Sequence, residues 1–320
     1  MNCLCCGKPL KGQVILSGWH PDCIHQFFGT KDLPEIELTN ETLTALAEKS
    51  VQRGHTVPGV QKKLSLHLST EVFPRLTMVD YPTGYILKPQ VTEFRALPEA
   101  EYLVMQMAAI AGLSVVPHSL IQLIDGLAYL TRRVDRPQID GRIQMLAMED
   151  FCQLDLRLTQ DKYRGSYERC VKVIQRYSSK PGLDLTELFL RLVFCYLTGN
   201  SDMHLKNFSL IETEQGSGAY ILSPAYDLLP VNVIMPEDQE EFALTMNGKK
   251  QHLRRNDFLI FAETAGIPRK AAMTMIERMV ERLPKWIGLC EESLLPEDMK
   301  VALIALMQAR AEKLQAIKQA

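Results

Sequence analysis

The strongest constraint in this chain is an apolar run that empties into a polar loop: "LFLRLVFCYLTG", residues 188–199, followed directly by "NSDMHLKNFSL". Its apolar side chains fall on more than one helical face, so a helix there must be covered from several sides. Only a chain with a sizeable core can do that, and 320 residues at 46% apolar content supply one. Asn200, Asp202, His204, Lys206 and Asn207 then stand at the mouth of a buried helix. A surface turn does not require that placement; a chemical site does.

Around this helix the chain reads as two parts. After "FFGTKDLPEIEL", Thr39 and Asn40 cap a short helix through "ETLTALAEKS". "KKLSLHLS", "VFPRLTMV" and "GYILKP" alternate between Gly, Pro and Asp punctuation and predict a small antiparallel sheet. "LPEAEYLVMQMAAIAGL" has the spacing of an amphipathic helix from near Pro98 to Gly112, and "HSLIQLID" with "LAYLTRRVDR" forms a hairpin around Asp125-Gly126. From about residue 149 the pattern turns helical, most clearly in the central run and in "RNDFLIFAETAG", "RKAAMTMIERMVERL" and "EDMKVALIALMQARAEKLQAIKQ". The expected class is α+β, with a strand-rich part over 39–148, a mostly helical part over 149–320, and a small segment over 1–38 ahead of both.

That first segment holds half of the eight cysteines. Cys3 and Cys6, then His20 and Cys23, are two close pairs of soft ligands with the spacing of a zinc knuckle, and Cys5 is the spare thiol. Four protein ligands make such a zinc structural, because no coordination position is left open. Chance cysteines in a reducing compartment are the plainer alternative. Cys152, Cys170, Cys195 and Cys290 lie in apolar or helical sequence and read as buried free thiols. A net charge of −2 gives no global field for nucleic acid or an anionic membrane. There is no signal-like apolar start and no span of about 18 apolar residues. The expected location is the cytoplasm, with signal-less export to a host cell also open.

The polar loop acquires partners when the chain is read in order. Asp202 and Asn207 are separated by four residues, and Asp227 follows in "SPAYDLLP". Phosphoryl transfer uses this inventory: one carboxylate to orient or deprotonate the acceptor, an amide oxygen and a second carboxylate to hold Mg²⁺ on the triphosphate. Upstream, Lys88 ends a strand, and Glu99 and Glu101 open the next helix, as in the lysine–glutamate pair that steadies nucleotide phosphates in kinases. Still earlier, "RGHTVPGVQKKLSL" offers Gly54 and Gly59 in a loop able to cover phosphates. The order matches a bilobal protein-kinase-like fold, although the usual His-Arg before the aspartate is missing and "AYD" stands where "DFG" is expected.

The segments "PGVQKKLSL", "YILKP", "RRVDRP", "MEDFCQL", "KYRGSYE", "GNSDMHLKNFSL" and "SPAYDLLP" together resemble the HipA family, bacterial Ser/Thr kinases that act as toxins of toxin–antitoxin systems. The resemblance implies that Asp202 is catalytic, that Asn207 and Asp227 hold magnesium, and that Lys88 with Glu101 contacts the nucleotide. It further implies Gly54, Gly59, Val60 and Gln61 in the glycine loop, Glu149 and Phe151 near adenine, and His204 and Tyr226 near the phosphates. Because the kinase pattern begins by residue 50, the chain is similar to the shorter HipT-type kinases. Their missing N-terminal subdomain is a separate HipS-like antitoxin, accompanied by a HipB-like helix-turn-helix protein that contacts DNA. The implied target is a translation component such as an aminoacyl-tRNA synthetase. Autophosphorylation in the glycine loop is implied at Thr56, with Ser50 and Ser65 the other local hydroxyls.

Three other functions compete. A small-molecule kinase of the aminoglycoside or choline type also pairs Asp with Asn, but "GVQKKL" and "KYRGSYE" argue against it. A non-catalytic module that only binds antitoxin and DNA would have no need of Lys88, Asp202, Asn207 and Asp227, and all are present. A metallohydrolase built on Asp202, His204 and Asp227 leaves Lys88 and Glu101 unexplained.

Overall fold

The structure is a computed structural model that describes residues 1–12, 17–36, 63–70, 73–77, 84–139 and 142–315. The helix expected over 41–50 lies outside the described residues, as do Ser50, Gly54, Thr56, Gly59, Val60 and Gln61. Two compact units emerge: Met1–Tyr102 with Val116–Met145, and Leu103–Val115 with Leu146–Ala320.

The first unit is built on an antiparallel sheet of β1 (Leu64–Ser69), β2 (Arg75–Thr77), β3 (Tyr85–Pro89), β4 (His118–Leu123) and β5 (Gly126–Arg132), in the order β2-β1-β3-β5-β4. Residues paired in register share a face. Leu64 pairs with Leu87, Leu66 with Tyr85, Leu87 with Leu130 and Ile121 with Ala128, which gives one apolar face. Lys88 pairs with Tyr129 and Tyr129 with Leu120, which gives the other. Leu123 pairs with Gly126, so the hairpin loop is Ile124-Asp125, one residue earlier than expected. Gly126 opens β5 at φ 139°, a conformation for which a side chain is costly.

The apolar face is covered by the N-terminal segment. Its helix Pro21–Phe28 starts on a proline and stops at Gly29. Leu10, Trp19, Ile24, Phe27 and Phe28 pack into the same cluster as Leu64, Leu66, Tyr85, Leu87 and Leu130. Trp19 meets Phe27 edge-on at 5.5 Å, and the Tyr85 hydroxyl donates to the Phe27 carbonyl.

The helix Leu97–Ala111 begins in the first unit and continues into the second. There the central helix is Pro181–Thr198, and from Leu188 to Thr198 only Leu190 is not buried. It ends at Gly199, φ 78°, whose backbone N–H and that of Asn200 bond the Cys195 carbonyl. A methyl group on Gly199 would sit 3.2 Å from both Leu306 methyls, so the glycine is required twice over. Around this helix pack Arg269–Val280 and Glu297–Gln315, and Arg255–Thr264 meets it through Phe258 on Tyr196. Helices Tyr167–Tyr177 and Leu283–Glu291 also form, as does a sheet of β8 (Met148–Asp150), β9 (Ser209–Glu212) and β10 (Tyr220–Leu222) in the order β10-β9-β8. Those strands escape a sequence reading because they are three or four residues long and β9 is buried throughout, which erases the alternation. Two further short strands, β6 (Gln138–Ile139) and β7 (Arg142–Ile143), pair in the first unit. Among the described residues no helix is long and apolar enough to cross a membrane.

Candidate active site

In the first unit a buried ion pair is built on Lys88. Its Nζ lies 2.5 Å from Glu101 Oε1 and 5.3 Å from the Tyr129 ring centroid, with side-chain exposures of 5% for the lysine and 0% for the glutamate. Both charges are out of water, so each depends on the other. Gln90 holds the connection that sets this geometry. Its side-chain nitrogen donates to the Val91 and Phe94 carbonyls, and its oxygen accepts the Leu97 backbone N–H at the start of the glutamate-bearing helix. Glu99 lies on the same first turns without that lysine contact, and burial pushes its carboxyl upward.

In the second unit the polar loop is built from its own hydrogen bonds. Asp202 N–H donates to Asn200 Oδ1, His204 N–H to the Asp202 carbonyl, and Asn207 N–H to the His204 carbonyl. Asn207 Nδ2 donates to the Asp202 carbonyl at 3.0 Å. The nitrogen of an amide donates and its oxygen accepts, and an oxygen is what a hard cation binds. The loop is also fastened from outside. Tyr167 donates to the Met203 carbonyl, Ser201 to Asp238 Oδ2 at 2.6 Å, Tyr226 to the Lys206 carbonyl, and Lys206 Nζ to Asp150 Oδ2 at 2.6 Å. Arg310 secures the helix end behind it, donating to the Tyr196 carbonyl at 2.6 Å and to Asn232 Oδ1 at 2.8 Å. Asn232 in turn donates to the Asp238 and Glu240 carbonyls. Helix terminus, arginine, asparagine and Asp238 thus form one bonded path back to Ser201.

The electrostatics around Asp202 are unbalanced. Burial raises its carboxyl above the usual range; the Tyr163 hydroxyl, donating to Oδ1 at 2.8 Å, opposes the rise, as does Lys162, whereas the charges of Asp227 and Asp238 add to it. Among the named charges that bear on Asp202, two acids oppose its ionisation and one lysine favours it. Asp227 adopts φ 60°, a left-handed conformation uncommon for a residue with a side chain and one found at functional sites. A divalent cation bound among these groups would relieve the repulsion.

The remaining residues fall in varied settings. His204 is buried, with the Tyr163 ring edge-on at 5.0 Å. Tyr226 shares its hydroxyl with Ser209 at 2.6 Å. Glu149 is exposed on β8, and Phe151 is fully buried against Phe208 with ring centroids 5.7 Å apart. Ser65 is exposed on β1. In the first unit, Cys3, Cys6, His20 and Cys23 bring four ligand atoms within 4.8 Å of one another. Sequence reasoning did not single out Tyr163, Asp238, Asp150 or Gln90. Tyr163 stood inside "KYRGSYE", whereas Asp238 in "MPEDQEE" looks like any solvated acidic turn.

Comparison with known proteins assigns the family. The profile of the HipA-like C-terminal domain matches residues 55–287. The chain belongs to that family. It is 27% identical over 323 residues to a Haemophilus influenzae protein named as a candidate kinase, covering 91% of this chain and 90% of that one. A Sinorhizobium fredii relative, the candidate kinase Y4mE, is 30% identical over 71% of this chain and 54% of its own length. The serine/threonine-protein kinase toxin HipA of Shewanella oneidensis is 25% identical over 73% of this chain. The chain spans only 56% of that HipA. In solved structures, HipA from the Shewanella HipA–HipB–operator DNA complex matches with a TM-score of 0.68 at 22% identity, over 83% of this chain and 70% of that one. The Helicobacter pylori proinflammatory kinase CtkA matches at 0.54 and 15% identity, over 78% of this chain and 93% of that one. The fold of this HipA-like chain is the expected kinase-like α+β fold, with a Cys/His cluster at its N-terminus.

Proposed function

We propose that this HipA-like chain is a Mg-ATP-dependent protein Ser/Thr kinase and the toxin of a HipA-type toxin–antitoxin system. The observation that carries the reading is the Asp202–Asn207 turn: a carboxylate raised by burial stands beside an amide whose nitrogen is internally bonded. In this reading Asp202 Oδ orients the acceptor hydroxyl and takes its proton as the hydroxyl oxygen attacks the γ-phosphorus; the bond from that phosphorus to the β–γ bridging oxygen breaks and ADP leaves. Asn207 and Asp227 would hold Mg²⁺, which would offset the charge of the phosphates. Lys88, kept in place by Glu101, contacts the phosphates. Glu149 lines the adenine end, and Gly54, Gly59, Val60 and Gln61 cover the phosphates from the glycine loop. Thr56 in that loop is the proposed autophosphorylation site, where about −2 of added charge would repel ATP.

For partners we propose a HipB-like protein, through which any DNA contact is made, and a small HipS-like antitoxin. The protein target is a translation component, and the site of action is the cytoplasm. The Cys/His cluster is proposed as a structural zinc site.

The deciding experiment is intact and peptide mass spectrometry of protein incubated with Mg-ATP, wild type beside Asp202→Ala. Phosphate on Thr56 in the wild type alone supports the reading, and Thr56→Ala should then remove most of it. ATP bound by both proteins with no phosphate on either, and no transfer to a cell extract, would refute protein kinase activity and leave the small-molecule reading.

A further inference from the structure

An apolar sheet face needs a cover, and in this unit the cover of one such face is too small to hold itself together. Among the described residues, 1–12 and 17–28 contribute one α-helix of eight residues and one isolated bridge, Asn2 to Pro9. Yet they supply Leu10, Trp19, Ile24, Phe27 and Phe28 to the face that holds Leu64, Leu66, Tyr85, Leu87 and Leu130. A peptide of that length seldom pays for its own ordering entropy without a staple such as a disulfide or a metal.

We infer that Cys3, Cys6, His20 and Cys23 hold a single zinc ion, and that this ion fastens residues 1–28 over the sheet face opposite Lys88. The distances suit one metal. With metal–sulfur bonds of about 2.3 Å, a tetrahedral site has sulfur–sulfur edges of about 3.8 Å and mixed nitrogen–sulfur edges of about 3.6 Å. His20 Nδ1 lies 3.3 Å from Cys6 Sγ and 3.9 Å from Cys23 Sγ, and all four ligand atoms fall within 4.8 Å. A binuclear iron–sulfur cluster would spread them farther.

The surroundings prepare the ligands. His20 Nε2 lies 3.2 Å from the Pro9 carbonyl, which can only accept, so Nε2 carries the proton and the Nδ1 lone pair faces the thiols. A carbonyl fixing the tautomer in this way is the usual outer-shell partner of a metal-bound histidine. The His20 backbone N–H is directed at Cys3 Sγ at 3.4 Å, and those of Cys5 and Cys6 also point to that sulfur. The turn closes through Gly7 N–H to the Cys3 carbonyl and Cys3 N–H to the Lys8 carbonyl, with Gly7 at φ 72°. Cys5 stands outside the quartet, and its carbonyl is bound by the Tyr102 hydroxyl. Binding is simple ligation: Zn²⁺ enters, the three thiol protons leave to solvent, and nothing is oxidised. Because Leu87 in the covered face adjoins Lys88 on β3, losing the ion should also disturb the lysine. That last consequence for nucleotide affinity rests on the kinase reading; the metal assignment does not.

The test uses the full chain, purified without a metal-affinity column. Elemental analysis should find about one zinc per chain; Cys6→Ser and Cys23→Ser should lose it, and Cys5→Ser should keep it. Co²⁺ exchanged into wild type should give the visible absorption of a tetrahedral thiolate site, which keeps the assignment testable should the serine variants fail to fold. Stripping zinc with a chelator should remove hydrogen-exchange protection from β1 and β3 and weaken ATP binding by tenfold or more. Folded, zinc-free wild type, a mass 2 Da low from a disulfide, or equal zinc loss in Cys5→Ser would overturn the metal site. Unchanged protection of β1 and β3 after stripping would overturn the fastening role. Zinc-loaded wild type that binds no ATP would instead count against the kinase reading alone.

Discussion

The two units handle buried charge in opposite ways. In the first, Lys88 and Glu101 neutralise each other at 2.5 Å, and the pair is complete within the chain. In the second, the charges of Asp227 and Asp238 raise the cost of ionising Asp202, with Lys162 a cation that opposes them. A neutral pair is set in advance, whereas neighbouring carboxylates are the kind of group that a bound cation relieves. The contrast teaches where magnesium-dependent stability should lie: around Asp202 in the second unit, not at the Lys88–Glu101 pair.

The largest expected effect comes from breaking the neutral pair. Lys88→Met leaves Glu101 buried without its lysine and should cost about 3–5 kcal/mol of stability. Adding Glu101→Leu should recover most of that loss while leaving phosphotransfer absent, a separation that thermal unfolding and a kinase assay read together. If Lys88→Met alone is no less stable than wild type, the pair is not the closed unit described.

Acid should strike the first unit through His118. Burial between the Tyr102 and Tyr129 rings lowers its pKa to about 4, and the Nδ1 hydrogen bond to the Val116 carbonyl only partly opposes this. Because the folded state prefers the neutral ring, the stabilisation is complete above the ordinary histidine range near 6.5 and is lost as pH falls through that window toward about 4. At about 1.36 kcal/mol per unit, the loss amounts to about 3 kcal/mol. His118→Gln should flatten the pH dependence of Tm over that interval; an unchanged slope would place the acid sensitivity elsewhere.

The acidic surplus carries the opposite sign. A raised Asp202 carboxyl contributes stability only while protonated, so that contribution is lost as pH rises through its folded value. Asp202→Asn should therefore raise Tm by a few degrees at neutral pH while abolishing phosphotransfer, and the gain should close at a pH below the ordinary carboxylate range. Mg²⁺ should raise the wild-type Tm in the same pH range and do so less in Asp227→Asn. Equal Mg²⁺ shifts in both proteins would remove Asp227 from the cation site.

How much of this was visible in the sequence follows the same division. The central helix, its stop at Gly199, the Asp202–Asn207 spacing and the Cys/His quartet are local patterns, and local patterns survive in one dimension. Of the two acids in "PEAE", only packing distinguishes Glu101, paired with Lys88, from Glu99. Tyr163 reaches Asp202 across 39 residues and Asp238 reaches Ser201 across 37, separations at which no periodicity connects donor to acceptor. The short strands β8, β9 and β10 were lost for a related reason, since their pairing rather than their composition defines them.

The finest test of the contrast is Tyr163→Phe, which removes a single hydroxyl. Its hydrogen bond lowers the Asp202 pKa and also fixes which way Oδ1 points, and these two effects move the rate in different directions. Without the donor, Asp202 becomes a stronger base, so the acid limb of the pH–rate profile should move to higher pH. On the plateau, where Asp202 is ionised in both proteins, greater basicity alone would speed the reaction and lost orientation would slow it. The Tyr163 side chain is partly exposed, so its bond sits at the weak end for a charged acceptor, about 1 kcal/mol, and the plateau should fall by less than about tenfold. The KM for ATP should not change, because the hydroxyl touches Asp202, the carboxylate that the proposed mechanism sets on the acceptor. A plateau that rises would mean that Tyr163 restrains the base rather than aims it, and that the surplus of acids in the second unit is held in check by the chain itself before any cation binds.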